Sequence, residues 1–88
     1  MDKLKMQEFH RMIHDVKNEI YETHQDPDGI VSIEINGHLE IKKIKILIKV
    51  TDKKLEQVIP LVVNSSIQSV SMKIKSLIEV FQRNLPNQ

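Results

Sequence analysis

An alternating run of aliphatic residues from Ile30 to Ile46 constrains the fold of this chain more than any other feature. Aliphatic and polar side chains alternate with a period of two, which is the pattern of a β-strand with one buried face. Asn36-Gly37 divides the run, and an Asn-Gly pair between two such segments is typical of a β-hairpin turn. The run therefore predicts two antiparallel strands, over about residues 29–35 and 39–50.

The same pattern predicts how the two strands pair. A two-residue turn would place Ile33 opposite Glu40 and would mix apolar with charged side chains on one face. A three-residue loop, Ile35-Asn36-Gly37, would instead pair Ile33 with Leu39 and put Gly37 in the left-handed position of a bulged turn. We therefore expect the three-residue loop.

The phase of the alternation changes within the second strand. Leu39 and Ile41 have odd numbers, whereas the later aliphatic residues, from Ile44 to Val50, have even numbers. One extra residue in the strand would let all of them face the core, so we expect a bulge or a strand break at Lys42-Lys43. Three lysines would then lie on the opposite, solvated face: Lys43, Lys45 and Lys49.

Amphipathic helices are predicted on both sides of the hairpin. Apolar positions from Met6 to Thr23 recur at spacings of three and four, which predicts a helix over about residues 3–24. This helix needs a partner, either the C-terminal helix or a second copy of the chain. A second series, from Ile59 to Leu85, predicts a helix over about residues 52–84.

Local features of the second helix carry further predictions. Thr51 or Asp52 can cap its N-terminus. Pro60 lacks a backbone N–H, so it should either kink the helix or mark its true start, with residues 52–58 as a separate turn. A stretch of small polar residues would permit close approach by another helix: Asn64, Ser65, Ser66, Ser69 and Ser71.

Composition limits the possible classes of protein. Eighty-eight residues suit one domain, residues 1–88, and 3% aromatic residues within a 40% hydrophobic content predict an aliphatic core. The absence of cysteine excludes disulfides and thiolate metal sites. No segment approaches the roughly 18 apolar residues of a membrane span, and the N-terminus lacks the apolar core of a signal peptide. We therefore expect a cytoplasmic protein without membrane contact.

No group of residues predicts an active site. His10 and His14 are four residues apart on the first helix but point away from its apolar seam, so we expect solvated rings rather than a metal site. His24 and His38 have no evident partner. There is no glycine-rich phosphate loop and no serine beside a base. We expect no enzyme, no catalytic residue, no cofactor, no metal and no small-molecule substrate.

Charge identifies candidate binding residues. The formal net charge is only +1, but residues 1–29 carry a net of −3, whereas residues 30–59 and 60–88 each carry +2. Lysine and arginine on exposed helix faces often serve solubility alone, but they can also neutralise phosphates. The candidates on the first helix are Lys3, Lys5, Arg11 and Lys17, and those on the last are Lys73, Lys75 and Arg83.

The hairpin resembles that of a known family. The run from Gly29 to Ile41, continuing through Ile44 and Ile46, is similar to the "G-x-V-x-V-x-x-x-G-x-x-E" hairpin of the YbaB/EbfC family of bacterial nucleoid-associated proteins. Leu61-Val62-Val63-Asn64 also resembles that family's apolar segment followed by Asn. The resemblance spans residues 6–80, although Pro60, valines and serines stand where the family is rich in alanine.

The resemblance implies an α+β fold of helix, β-hairpin or short antiparallel sheet and long Pro-kinked helix, in an intertwined homodimer. It also implies binding of double-stranded DNA in the nucleoid, through basic residues on projecting helices and with limited sequence specificity. The alternative is a dimeric adaptor or chaperone-like module of the same fold that does not bind DNA. The acidic N-terminal third and the almost neutral total charge favour that alternative.

Overall fold

The three strands of the protein form one antiparallel sheet, and a long helix covers part of one face. A computed structural model describes residues 3–83, with side chains from residue 5 onward. Asn84 and Leu85, at the end of the predicted second helix, lie outside these residues. The elements are α1 (Lys3–Glu19), β1 (Tyr21–Gln25), β2 (Val31–Asn36), β3 (Ile41–Ile46) and α2 (Asp52–Arg83). The strand order is β1-β2-β3, which confirms the predicted α+β class.

The predicted extension of the first helix to residue 24 is wrong. α1 ends at Glu19, and Tyr21–Gln25 form a strand that pairs with β2. Glu22 and His24 of this strand face α2, while the alternate residues are exposed. The helical spacing of the preceding segment continues by chance through these residues. The inward side chains of β1 are polar, so the strand lacks the alternation of apolar and polar residues that would distinguish it from a helix.

The predicted hairpin register is also wrong. Ile33 pairs with Ile44, and Val31 pairs with Ile46, so the strands are joined by the longer loop of residues 37–40. Asn36 organises this loop, since its side-chain Oδ1 accepts hydrogen bonds from the backbone N–H groups of His38 and Glu40, at 2.9 and 3.1 Å.

Gly37 does not have the left-handed conformation that the sequence predicted. Leu39 has the positive φ in this loop, at 62°. Gly37 is instead pressed against the end of α1: a Cβ atom on it would lie 2.2 Å from the backbone oxygen of Lys17. Its N–H donates to the Ile20 carbonyl at 3.0 Å. The glycine is therefore required by close packing between the loop and α1.

The predicted bulge at Lys42-Lys43 is confirmed. Glu34 pairs with Lys43, whereas the next residue of β2, Ile35, pairs with Ile41, which leaves Lys42 as the extra residue. The bulge restores the inward phase of the strand. β3 ends at Ile46, four residues before the predicted end, and residues 47–51 connect it to α2.

α2 begins at the predicted cap and runs through Pro60. Thr51 is the N-cap, since its Oγ1 accepts a hydrogen bond from the Lys54 N–H at 3.2 Å and its carbonyl accepts one from Leu55. The helix then continues for 32 residues to Arg83. The alternative in which Pro60 marks the start of the helix, after a separate turn, is therefore wrong.

The core lies between α2 and the inward face of β2. One cluster is formed by Ile30, Val31, Ile33, Val58 and Val62, and a second by Ile20, Ile35 and Val70. Ser66, on the same face of α2 and fully buried, lies between the two clusters in sequence and donates to the Val63 carbonyl at 2.8 Å. The small residue thus permits close approach of α2 to the sheet, not to another helix as predicted.

Asp26 fixes the turn between β1 and β2. Its Oδ1 accepts hydrogen bonds from the backbone N–H groups of Ile30 and Val31, at 2.7 and 2.8 Å, and its Oδ2 accepts one from Asp28 at 3.1 Å. Burial by itself would raise the pKa of Asp26, but these backbone donors outweigh it and hold the pKa below its ordinary value. Gly29, at φ 67°, supplies the left-handed residue of the turn.

Candidate functional site

The structure brings the two predicted sets of basic residues to the same end of an elongated molecule. Its principal extents are 57 × 18 × 16 Å. α1 lies beside the C-terminal half of α2, where the rings of Phe9 and Phe81 are 5.5 Å apart. Apart from Lys3, both sets of candidate side chains therefore lie on this helical pair, called here the arm (α1 with residues 70–83 of α2).

The candidates on α1 stand among acidic neighbours. Arg11 and Lys5 are exposed and Lys17 is half-buried, whereas the side chain of Lys3 lies outside the described residues. The α1 segment also carries three acidic residues, Glu8, Asp15 and Glu19, against its four basic ones. The net charge of the α1 segment is therefore only +1, which attracts a polyanion weakly.

Two of the three candidates on α2 have partners within the chain. Lys73 Nζ forms an ion pair with Glu22 Oε2 at 3.2 Å, which partly neutralises it. The Nε of Arg83 donates to the Glu79 carbonyl at 3.4 Å. Lys75 is exposed. The arm therefore offers fewer uncompensated cations than the sequence suggested.

Glu22 is the centre of a polar cluster that joins β1 to α2. Its Oε1 accepts hydrogen bonds from His24 Nε2 at 2.7 Å and from Ser69 Oγ at 3.2 Å. The bond from His24 is the main cause that lowers the pKa of Glu22, with Lys73 and Ser69 adding to it, while burial opposes the shift. His24 thus has the partner that the sequence did not reveal. The serine donates to a carboxylate and not to the histidine, so the cluster is not arranged to activate a nucleophile.

The remaining histidines lie on or beside α1. His10 and His14 are exposed, as predicted. His38 Nε2 donates to Asn18 Oδ1 at 2.6 Å, and its ring lies 5.1 Å from that of His14. These contacts join the β2–β3 loop to α1, a role that the sequence did not show for His38. Within the described residues, no three histidine or carboxylate side chains are grouped so as to hold a metal ion.

The most basic part of the chain is a segment that the predicted site residues omitted. Residues 42–54 carry six lysines and one aspartate, a net of +5, so the other 75 residues together carry −4. All six lysines are exposed. Within the described residues, none of their side chains forms a salt bridge or a hydrogen bond. The local density of lysine was the signal in the sequence that could have identified this segment.

Beside these lysines, the inward face of β3 is uncovered. Ile44 and Ile46 stand opposite the fully buried Ile33 and Val31, yet they are 48% and 52% exposed. Ile48, beyond the strand, is also half-exposed. The prediction that the aliphatic residues of this segment enter the core of the chain is therefore only partly right: Val50 packs against the core, whereas Ile44 and Ile46 share the inward face but are not covered by α2.

The orientation of α2 explains this exposure. Leu61 and Ser65 lie beside the β1–β2 turn, and Ser69 contacts β1. Val63 lies on the opposite flank of the helix from Leu61 and Ser65, because residues two apart in sequence are separated by about 200° around an α-helix. That flank is turned toward β3 and is only partly buried along Ile59, Val63 and Ile67. The uncovered isoleucines of β3 and this flank are together called the open apolar face.

The architecture defines a class of small α+β domain: a helix, a three-stranded antiparallel sheet and a long helix that covers two of the strands. No family model matches the chain, and no curated protein matches it. Among solved structures, the uncharacterized protein HP0035 from Helicobacter pylori is similar, with a TM-score of 0.66 and 18% sequence identity over 83% of this chain and 89% of that one. At this identity the likeness concerns the fold alone. Neither helix within residues 3–83 has the length and apolar content to cross a membrane.

Proposed function

We propose that the protein is a non-enzymatic homodimer that binds double-stranded DNA with limited sequence specificity, as a nucleoid-associated protein of the YbaB/EbfC kind. The observation that carries the proposal is the placement of an exposed, unpaired set of lysines beside an uncovered apolar face. The apolar face supports the dimer, and the lysines support the contact with phosphate. The motif of the hairpin supports the family.

The open apolar face supports association of two copies. Burying the exposed half of one isoleucine is worth roughly 1 kcal/mol, because burying a whole side chain is worth about 1.5–3. Ile44 and Ile46 of two copies would thus contribute roughly 4 kcal/mol. Association costs about 4–15 kcal/mol, so the partly buried flank of α2 must contribute as well. A two-fold dimer uses the same patch on both copies, which suits one continuous apolar face per chain.

Contact with DNA would be electrostatic. Lysines that neutralise phosphates release condensed counterions, so the affinity falls as salt rises. Such contacts fix position but do not read bases. Limited sequence preference is therefore the expected behaviour. A dimer doubles the number of contacts and thereby strengthens weak individual ones.

The test is a fluorescence-anisotropy titration of labelled random-sequence duplex with the wild-type protein at rising salt. We expect a linear fall of log affinity against log salt, with a slope of about −0.9 for each phosphate contact. A Lys73→Gln/Lys75→Gln variant measures the contribution of the arm, and unchanged binding would remove those two residues from the site. Absence of salt-sensitive binding by the wild type at physiological salt would contradict the proposal.

A second candidate function, a protein-interaction module of the same fold, is favoured by a separate observation. A groove of about 230 Å³ lies between the two helices of the arm, and it is lined by apolar side chains that include Met12, Ile13, Val16, Ile74, Leu77 and Phe81. Such grooves can accept the apolar face of an amphipathic helix. The same titration separates the two functions, because an adaptor predicts no binding of duplex.

A further inference from the structure

We infer that the principal phosphate contacts are made by lysines on and after β3, and not by those of the arm. This inference rests on the proposed function and assigns its site to the β3 lysine surface, defined by Lys42, Lys43, Lys45 and Lys49.

The geometry of β3 presents two of these lysines side by side on open sheet. Lys43 is paired with Glu34 and Lys45 with Ser32, so both project from the face opposite α2. The helix covers only the other face of the sheet. Two residues along a strand are roughly 6.6 Å apart, so the pair can contact successive phosphates of one nucleic acid strand.

The charges near this surface favour a polyanion. Glu34 is the acidic residue paired with Lys43, and its Oε1 already accepts a hydrogen bond from the Tyr21 hydroxyl at 2.9 Å. Glu40 is the second nearby carboxylate. Its pKa is lowered mainly by a hydrogen bond from the Asn36 side chain and secondarily by the charge of Lys42. Glu34 keeps its negative charge beside Lys43, but within the described residues neither Lys43 nor Lys45 forms an ion pair, in contrast to Lys73, which is paired with Glu22.

The location also suits the proposed dimer. β3 is an edge strand of the sheet, and its other face contributes Ile44 and Ile46 to the open apolar face. Association through that face leaves the lysine surface of each copy, on the opposite face of the sheet, open to contact with nucleic acid.

Lysines on an edge strand have another known role, which is to discourage pairing with the edges of other sheets. That role predicts aggregation, and no change in DNA affinity, when the lysines are neutralised. The two roles therefore give different results in the same variants.

The experiment compares two double variants with equal loss of charge in the anisotropy titration: Lys43→Gln/Lys45→Gln on β3 and Lys75→Gln/Arg83→Gln on the arm. Each lost phosphate contact should weaken binding about eightfold at 0.1 M salt, so loss of two contacts weakens it about 60-fold and makes the salt slope shallower by about 1.8. We expect this effect for the β3 variant and a change within about twofold for the arm variant. A Lys43→Arg/Lys45→Arg variant should bind like the wild type, which separates loss of charge from loss of structure.

The inference is overturned if the β3 variant binds DNA as the wild type does, or if the arm variant loses as much affinity. Aggregation of the β3 variant with unchanged affinity of its soluble fraction would assign these lysines to protection of the edge strand. A wild type that binds no duplex would instead overturn the proposed function itself, and this result is distinct from the other two.

Discussion

Replacement of Gly37 by alanine is the most severe small substitution that the structure identifies. A Cβ atom at this position would lie 2.2 Å from the backbone oxygen of Lys17, and 2.7 and 2.8 Å from its Cα and carbonyl carbon. Ordinary van der Waals contact requires about 3.4 Å or more, so the loop and α1 must separate by roughly 1 Å. These atoms belong to the backbone, so no rotamer change can relieve the overlap.

The cost has two parts. Overpacking of this kind costs about 1–3 kcal/mol, and contact with backbone places it at the upper end. Separation of the loop from α1 also weakens the hydrogen bond from the Gly37 N–H to the Ile20 carbonyl, worth about 1 kcal/mol net. A total of roughly 3–4 kcal/mol should lower the melting temperature by about 12–32 °C for a domain of this size.

The assay is thermal unfolding followed by circular dichroism at one protein concentration, with hydrogen exchange of α1 as a second measurement. The matched control is Gly29→Ala, where the nearest atom, Gln25 Oε1, is 3.9 Å away and the positive φ is the main source of strain. The Gly29→Ala substitution should lower the free energy of unfolding by about 1–2 kcal/mol. If α1 detaches without global unfolding, its amides will lose protection in the Gly37→Ala variant alone. A Gly37→Ala variant that matches the wild type in both measurements would show that the loop and α1 are not packed this closely.

Three further predictions concern the dimer, the β1–β2 turn and the core. An Ile44→Lys/Ile46→Lys variant should be monomeric in sedimentation equilibrium while it keeps its far-ultraviolet circular dichroism, because charge cannot be buried in the proposed interface; a variant that associates like the wild type would place the interface elsewhere. Asp26 has a depressed pKa in the folded state, so its stabilising effect is present above its ordinary pKa of 3.8 and is lost as the pH falls through the lower folded value. Asp26→Asn should therefore be less stable than the wild type at neutral pH, and urea titrations should show the difference shrinking in acid; a difference independent of pH contradicts this. Ser66→Leu should lower the free energy of unfolding, measured in urea, by about 1–3 kcal/mol, because the site is fully buried against the sheet. Ser66→Ala should lower it by about 1 kcal/mol or less. Equal stability of the two variants would show that α2 is not tightly packed at this position.

The sequence correctly predicts those features of the fold that depend only on residues close together in the chain. Thr51 caps a helix whose first turn follows it directly, and the phase change at Lys42-Lys43 records the bulge within the strand itself. The inward aliphatic residues of β2 were also evident, since α2 buries that strand and its alternation is strict.

Sequence reasoning failed where a residue depends on a distant partner. Glu22 faces inward from β1 because Ser69 and Lys73, 47 and 51 residues away, satisfy its carboxylate. An inward carboxylate conceals the strand pattern, so the segment was assigned to a helix. Gly37 suggested a left-handed turn residue, but its role is set by α1, which is distant in the chain until the fold forms.

The candidate site was only partly accessible from the sequence. Lys73 is a candidate because it is a basic residue on a predicted helix, but the sequence does not show that Glu22 forms an ion pair with it. The lysines of β3 were correctly placed on the solvated face, yet the absence of ion pairs to them within the described residues is a property of the fold. The exposure of Ile44 and Ile46 likewise follows from the position of α2, which no local pattern encodes.

In the proposed function, two chains bind one duplex together. Sedimentation equilibrium of the wild-type protein with a short random-sequence duplex, at moderate salt, measures this directly. We expect free protein at twice the 10.3 kDa of one chain and a complex whose mass equals the duplex plus two chains. Free protein at 10.3 kDa, with the duplex sedimenting alone, would contradict it.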